Sequence, residues 1–259
     1  MKGKSLVLLL GLVFCFCSLS NPAQAQEQKS QFYFIVEEVV KPSMIAEFEE
    51  ATKEEFALIA EQNFPYTCYT YNSDDYIYYY VWPLKDYADI GNMMAAWGEM
   101  VQKIGVEKWM ALGERKGEMF EYYKFWVAYH RPDLSYVQEN PRFKPEEANF
   151  RYWVFLSILP GKELEFEKVC KEWIELDKRV NRMDSYDLFV GDIGTEMPFC
   201  FWEVKGKSAA DFFKQQEIYG GKMGKEGMEL WNRTIALCRK VEDKTGWFRP
   251  DLSYIPEEK

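Results

Sequence analysis

The hexapeptide Arg-Pro-Asp-Leu-Ser-Tyr, at residues 131–136, recurs unchanged at residues 249–254, 118 residues further along the chain (249 minus 131). The same offset brings earlier segments into register: 31–34 falls on 149–152, Pro42 on Pro160 and Phe48 on Phe166. Repetition at a constant period indicates architecture more strongly than a local motif does. The sequence therefore predicts two tandem copies of one unit, over residues 26–140 and 141–259.

Each copy has the periodicity of the element order β-α-β-β-α-β. In the first copy the segments are a β-branched and aromatic run at 32–40, a helical pattern to about 62, strands at 66–71 and 76–82, a helical stretch from 86 to about 115, and a closing strand at 120–130. In the second copy the last helical stretch should run from 208 to about 240, with a break at Gly220-Gly221, and the closing strand is short, at 246–249. This order is that of a ferredoxin-like unit.

The predicted strands are apolar or aromatic on both faces, as in Tyr-Ile-Tyr-Tyr-Tyr-Val-Trp at residues 76–82. A sheet with one face in water would instead alternate polar and apolar residues. The second face must therefore be covered, and the other copy is the nearest cover. We expect sheet to pack on sheet, with the helices outside.

In this element order and double-sided burial, the chain resembles the dimeric α+β barrel superfamily in a tandem, single-chain form. The predicted fold class is α+β, with two ferredoxin-like repeats forming a pseudo-dimeric barrel. The superfamily includes antibiotic-biosynthesis-type monooxygenases, haem-degrading monooxygenases and chlorite-dismutase-like haem proteins. The resemblance thus implies several chemistries, including haem as a possible cofactor, and leaves the function open.

Residues 1–25 have the layout of a cleaved secretory signal: Lys2 and Lys4, an apolar run at 6–16, and Ala23-Gln24-Ala25 before the expected cleavage point. The apolar run is shorter than the roughly 20 residues of a membrane-spanning helix. We expect a protein exported by a bacterium, periplasmic or extracellular and not inserted in the membrane. The remaining chain has 30 basic residues (32 minus 2) and 42 acidic residues, a balance of −12. That charge argues against nucleic acid as a partner.

The sequence offers little for metal binding or for common catalytic motifs. Four cysteines follow the signal, and none recurs in the other copy, so we interpret them mostly as small buried hydrophobes: Cys68, Cys170, Cys200 and Cys238. With one histidine and no Cys-x-x-Cys, no metal site is expected. Phosphate-binding loops, hydrolase elbows and zinc-protease motifs are also absent from the sequence.

His130 is the only histidine, and the second copy has Phe248 at the equivalent position. An imidazole can act as a general base or as a haem ligand, so His130 is a candidate for either role. The alternative is a structural role, in which His130 only packs at the end of its strand. Residues that both copies keep, such as the hexapeptide, are interpreted as scaffold, and residues that one copy keeps are where function could lie. By that filter, and by alternation along the strands, the predicted ligand-binding residues are Tyr33, Glu37, Lys124, Trp126, His130, Arg151 and Trp153.

Three functions are compatible with these observations. The leading interpretation is a secreted protein that binds a small apolar or aromatic ligand in an aromatic-lined cavity between two sheets, without a catalytic group. The second is an enzyme, either a cofactor-independent monooxygenase or a haem-handling protein, using His130 with Arg151. The third is a non-catalytic interaction protein that binds a partner or a further copy of itself, as a homo-oligomer.

Overall fold

The computed structural model describes residues 30–257, so the predicted signal peptide lies outside the described part of the chain. Within that part, no helix is long and apolar enough to span a membrane. Both halves of the described chain mix helices and strands, and the fold is α+β. The elements of the first half are β1 (Phe32–Val40), α1 (Ile45–Glu61), β2 (Tyr69–Ser73), β3 (Ile77–Leu84), α2 (Tyr87–Ile104), α3 (Val106–Gly117) and β4 (Phe120–His130). Those of the second half are β5 (Phe150–Ile158), α4 (Glu163–Val180), β6 (Tyr186–Gly191), β7 (Phe199–Gly206), α5 (Ala209–Ala236) and β8 (Cys238–Phe248).

The eight strands close into one barrel in the order β1-β3-β2-β8-β5-β7-β6-β4. This corrects the expectation of two separate sheets that face each other. Strand β2 pairs with β8, through Tyr71 and Phe248 among others, and β4 pairs with β6, through Ala128 and Gly191. Pairing across the two halves satisfies backbone groups that two open sheets would leave at their edges.

The apolar core lies in three layers. Two of them fill the spaces between the helices and the outer face of the strands, one in each half. The third fills part of the barrel interior with buried residues of both halves: Ile35, Ile77, Tyr79, Trp126, Ala128, Trp153 and Phe201. Both faces of the strands are thus covered, as the sequence predicts, because alternate side chains point to the helices and to the interior.

The repeated hexapeptide connects each half to the helix of the other half. Arg131 donates hydrogen bonds to Asp133 in its own turn, at 2.8 Å, and to Glu167 of α4, at 2.9 Å. In the second hexapeptide, Arg249 makes the corresponding contacts with Asp251 and with Glu49 of α1. The hydrogen bonds from Arg249, the largest cause, hold the pKa of Glu49 below its usual value. The repeat is therefore part of the scaffold that holds the two halves together.

Candidate functional site

A cavity of about 430 Å³ opens inside the barrel. Its walls come from strands of both halves and are mostly aromatic, with a cluster of polar side chains at one end. The polar lining residues are Gln31, His130, Asp187, Glu203 and Lys205, together with the tyrosines Tyr33, Tyr69, Tyr71 and Tyr79. A largely apolar cavity with a few converging polar groups is typical of small-molecule sites.

His130 ends β4 and reaches across to β6. Its Nε2 lies 3.1 Å from Oδ1 of Asp187 and 3.2 Å from Oγ of Ser135. The Ser135 hydroxyl donates its hydrogen to the carbonyl of Arg131, at 2.8 Å, so its oxygen can only accept from the imidazole. Since the ionised carboxylate also only accepts, this network assigns the hydrogen to Nε2 and leaves the lone pair on Nδ1.

Asp187 is ionised in this arrangement. Burial alone would raise the pKa of its carboxyl, but the hydrogen bond from His130 and the charge of Lys205 hold that pKa well below its usual value. The Lys205 ammonium donates to Oδ2 of Asp187 at 2.9 Å. A carboxylate that accepts from an imidazole N–H orients the ring and stabilises its protonated form.

The polar cluster continues along β7 to β5. Lys205 lies 3.8 Å from Oε1 of Glu203, and Oε2 of Glu203 accepts a hydrogen bond from the indole of Trp153 at 2.9 Å. The Nε of Arg151 lies 3.5 Å from Oε1 of Glu203, and its guanidinium stands over the Tyr71 ring. The buried charges of the site are therefore paired with one another, which offsets the cost of removing them from water.

Tyr33 contributes a neutral hydroxyl to the same cavity. Burial, followed by the negative charges of Asp187 and Glu203, raises its pKa to about 12. The phenol therefore keeps its hydrogen across the physiological range and can donate a hydrogen bond to a ligand oxygen.

The structure brings most of the predicted site residues together. Tyr33, Trp126, His130 and Trp153 line the cavity. Arg151 adjoins it through Glu203. The other two predicted residues, Glu37 and Lys124, are not among the lining residues and form an ion pair of 3.0 Å with each other.

Sequence reasoning missed Asp187, Glu203 and Lys205. Strand alternation could have identified Glu203 and Lys205 as a pair, because they are two residues apart on one strand and must lie on the same face of it. Asp187 gave no such signal, since its pairing with His130 depends on the contact between β4 and β6.

The cysteines and acids of the described chain provide neither disulfides nor metal ligands. Cys68, Cys170 and Cys200 are buried free thiols, and burial raises the pKa of each of them. Among residues 30–257, no group of three or more His, Cys, Asp and Glu side chains is arranged to hold a metal ion.

Searches against protein-family profiles and against curated proteins give no match. Solved structures do match over most of the chain. An anthrone oxidase-like protein superposes with a TM-score of 0.60 at 11% identity, over 86% of this chain and 92% of the other. A candidate monooxygenase from Fusobacterium nucleatum gives 0.51 at 10% identity (85% and 93%), and a mutant chlorite dismutase from Candidatus Nitrospira defluvii gives 0.51 at 10% identity (86% and 92%). The chain has the fold of the dimeric α+β barrel superfamily.

These neighbours correct the leading interpretation of the sequence. The three structures are described as an anthrone oxidase-like protein, a monooxygenase and a chlorite dismutase. The finding contradicts a non-catalytic secreted binder and favours the enzyme alternative.

The barrel cavity does not fit haem, the cofactor implied by the chlorite-dismutase-like relatives. An axial ligand needs a free lone pair, and the Nε2 hydrogen of His130 is held between Asp187 and Ser135. The other nitrogen, Nδ1, is adjacent to the ring carbon that carries Cβ, which crowds a flat macrocycle. No second imidazole exists in the chain to replace it.

Proposed function

We propose that this protein is a cofactor-independent monooxygenase that oxidises a hydroxylated, anthrone-type aromatic substrate in the barrel cavity. The observation that carries the proposal is the His130–Asp187 pair, placed at the polar end of an aromatic cavity of about 430 Å³. The anthrone oxidase-like neighbour supports this substrate class. The proposed site consists of Tyr33, Trp126, His130 and Trp153, with Arg151, Asp187, Glu203 and Lys205 around them.

The proposed reaction needs a base and a hydrogen-bond donor. A methylene flanked by aromatic rings gives one proton to Nδ1 of His130, and Asp187 stabilises the imidazolium that forms. Tyr33 donates a hydrogen bond to the oxygen of the delocalised anion. The anion reduces O₂ and forms a C–O bond, and the resulting hydroperoxide loses water to leave a carbonyl. The methylene loses two hydrogens and four electrons, so one O₂ is fully reduced and no further reductant is needed.

Oxygen uptake with 1,8-dihydroxyanthrone tests the proposal. We expect one O₂ consumed for each quinone formed, at a rate that His130→Phe lowers by about 10²–10⁴-fold, the usual contribution of a general base. Phenylalanine is the residue that the second copy carries at this place, so the strand end should keep its packing. Lys124→Gln is the matched control, because Lys124 lies away from the cavity. Uptake no faster than in buffer, or unchanged by His130→Phe, would refute the proposal.

Hemin separates the haem alternative from the proposed one. We expect no saturable Soret shift when hemin is added to the protein, because the Nε2 hydrogen of His130 is held by Asp187 and Ser135 and the Cβ beside Nδ1 crowds a haem plane. A strong Soret shift that disappears in His130→Ala would favour haem handling instead.

The organisation of the chain belongs to the same proposal. We propose that residues 26–140 and 141–259 are two ferredoxin-like repeats that build a single-chain barrel, and that residues 1–25 direct its export to the periplasm or the medium. The pairing of β2 with β8 and of β4 with β6 supports this organisation, because each half completes the strand edges of the other.

A further inference from the structure

A second cavity, of about 240 Å³, lies between the outer face of the second-half strands and helices α4 and α5. Its walls are largely aromatic, and they include Trp173, Trp231, Phe212 and Tyr152. It shares no lining residue with the barrel cavity. The separation follows from strand alternation: Trp202 points to the helices, and its neighbour Glu203 points to the barrel interior.

This small cavity is lined by buried polar atoms that have no hydrogen-bond partner. They are the indole Nε1 of Trp202, the amide nitrogen of Gln216 and Nε of Arg182, and beside them the Asp177 carboxylate and the Tyr186 hydroxyl, which face each other without a hydrogen bond of good geometry. Four of these side chains belong to residues at least nine-tenths buried, with exposed fractions of 0% for Asp177, 8% for Arg182, 6% for Tyr186 and 9% for Trp202. Most buried polar groups in proteins have partners, so this concentration in one cavity indicates that it takes up a polar partner from outside the chain.

The charges and hydrogen-bonding capacities define what that ligand must be. Asp177 and Arg182 face each other, with Oδ1 and Nη1 3.5 Å apart, so the cavity has no net charge to neutralise. The indole of Trp202 and the amide of Gln216 can donate, and the Asp177 carboxylate can accept. A neutral group that both accepts and donates satisfies them, and a hydroxyl is the smallest such group.

The equivalent cavity of the first half has a different character. It is larger, about 430 Å³, and its buried ammonium, Lys116, already has partners in the chain: Glu55 at 2.8 Å, Glu38 at 3.2 Å and the Tyr80 hydroxyl at 3.3 Å. Among the described residues that line this first-half cavity, the one buried side-chain atom without a hydrogen-bond partner is an acceptor, Oε2 of Glu38, which lies beside the Lys116 ammonium. Of these two cavities, the second-half one alone is therefore lined by unpartnered donors of the described residues.

We propose that the cavity between α4, α5 and the second-half strands binds a neutral, single-ring phenol. The phenol O–H donates to the Asp177 carboxylate, and its oxygen accepts from the indole of Trp202 or the amide of Gln216. The ring fits among the aromatic walls, where planar faces favour offset or edge-to-face contacts. This site is independent of the proposed oxygenase reaction.

Titration with phenol, followed through the indole N–H resonances of ¹⁵N-labelled protein, tests the proposal. The Trp202 resonance is identified by its loss in Trp202→Phe. We expect it to shift and saturate at millimolar phenol, because so small a ligand makes few contacts. The resonances of Trp126 and Trp153 report the barrel cavity in the same spectra.

Gln216→Leu removes one donor from the cavity, and Gln215→Leu is its matched control, since Gln215 is adjacent on α5 and does not line the cavity. We expect Gln216→Leu to weaken phenol binding about tenfold, the effect of one lost hydrogen bond, and Gln215→Leu to leave it unchanged. Tyr186→Phe should weaken it as well. A Trp202 resonance that does not saturate, a shift confined to Trp126 and Trp153, or equal effects of the two glutamine variants would overturn the proposal.

Discussion

At the scale of single residues, the ionisation of Asp187 decides which nitrogen of His130 can act as a base. The carboxylate and the Ser135 oxygen both accept from Nε2, so Nδ1 carries the lone pair. Lys205 stabilises the ionised carboxylate from its other side, at 2.9 Å from Oδ2. The base, its orienting group and the counter-charge thus come from three strands, and none of them acts alone.

Replacing Asp187 by Asn tests this arrangement. The amide can donate to the imidazole as well as accept from it, which permits the other tautomer and withdraws the lone pair from Nδ1. We expect the oxidation rate with 1,8-dihydroxyanthrone to fall about 10²–10⁴-fold while the affinity for the substrate changes little. Steady-state oxygen uptake separates the two effects. A rate within twofold of the parent protein would contradict the assigned tautomer.

The same substitution predicts a pH dependence of stability. The pKa of Asp187 is lower in the folded protein than in the unfolded chain, where it is about 3.9. Its stabilising contribution is therefore complete above that value and is lost as the pH falls through the folded pKa. We expect Asp187→Asn to reduce the free energy of unfolding by about 1–3 kcal/mol at pH 7. Urea denaturation at pH 3 should show a smaller difference, and a difference that grows on acidification would contradict the prediction.

Much of the site could be predicted from single residues, because strand alternation places side chains on one face without knowledge of the fold. Tyr33, Trp126, His130 and Trp153 line the cavity for that reason. The same rule put Glu37 inside the barrel but could not tell at which end, since position along the barrel depends on how the strands are offset. Asp187 lay beyond the sequence for a related reason: its contact with His130 arises from pairing between strands of different halves.

At the scale of elements, the hexapeptide turns add charged contacts between the halves to the pairing of their strands. Arg249 and Asp251 close one turn, and Glu49 of α1 accepts from the same guanidinium. Charged hydrogen bonds that are half-buried and bidentate contribute more than exposed ion pairs. The turn thus fixes where α1 lies relative to the strand that precedes the turn, β8.

Arg249→Ala should therefore destabilise the protein. We expect the free energy of unfolding to fall by about 1–3 kcal/mol, because the variant leaves the Glu49 carboxylate with fewer donors. Arg179→Ala is the control: Arg179 pairs with Glu226 on the surface, both side chains are about 60% exposed, and we expect a change below about 0.5 kcal/mol. Equal losses in urea titrations of the two variants would show that the turn has no special role.

The seam between β2 and β8 depends on a glycine. A Cβ on Gly246 would lie 2.1 Å from the carbonyl oxygen of Asn72 and 2.5 Å from the ring of Trp153, closer than real contacts allow. Neither neighbour can move away easily: the Asn72 carbonyl is part of the paired strand β2, and the Trp153 indole donates a hydrogen bond to Glu203. We expect Gly246→Ala to cost about 1–3 kcal/mol, by overpacking, and to disturb the barrel cavity.

Gly220→Ala provides the contrast. Gly220 lies within α5 with nothing within 4 Å of its added Cβ, so alanine should stabilise by about 0.5–1 kcal/mol. Thermal unfolding of both variants, followed by far-UV circular dichroism, measures the two effects. A Gly246→Ala protein as stable as the parent would mean that the seam can open without cost.

Element order could be predicted from the sequence because the helical and strand periods differ clearly in most segments. The exception is β8, where the predicted helix reaches residue 240 but α5 ends at Ala236 and the strand begins at Cys238. Residues 239–244 include five charged side chains out of the six, and β8 pairs only with β5 there, so its outer positions face water. A polar edge strand lacks the apolar alternation that identifies a strand. The sequence predicts the break in α5 at Gly220-Gly221, whereas the non-helical residue is Gly224.

At the scale of the whole molecule, neither half can close its own strands. Strand β2 needs β8 and β4 needs β6, and the interior layer combines Ile35 and Trp126 of the first half with Trp153 and Phe201 of the second. A lone first half would expose two strand edges together with the aromatic interior face. Exposed edges and apolar faces of this kind drive association.

Residues 26–140 expressed alone should therefore not remain a folded monomer. We expect this fragment either to dimerise, with a second copy of the fragment in the place of residues 141–259, or to aggregate. Because a dimer would place two copies of β4 and β2 at the seams, the His130–Asp187 contact would be lost and the fragment should show no oxygen uptake with 1,8-dihydroxyanthrone. Co-expression with residues 141–259 should restore a one-to-one complex and the activity. Native mass spectrometry distinguishes these outcomes, and a folded, monomeric fragment would contradict the view that each half completes the other.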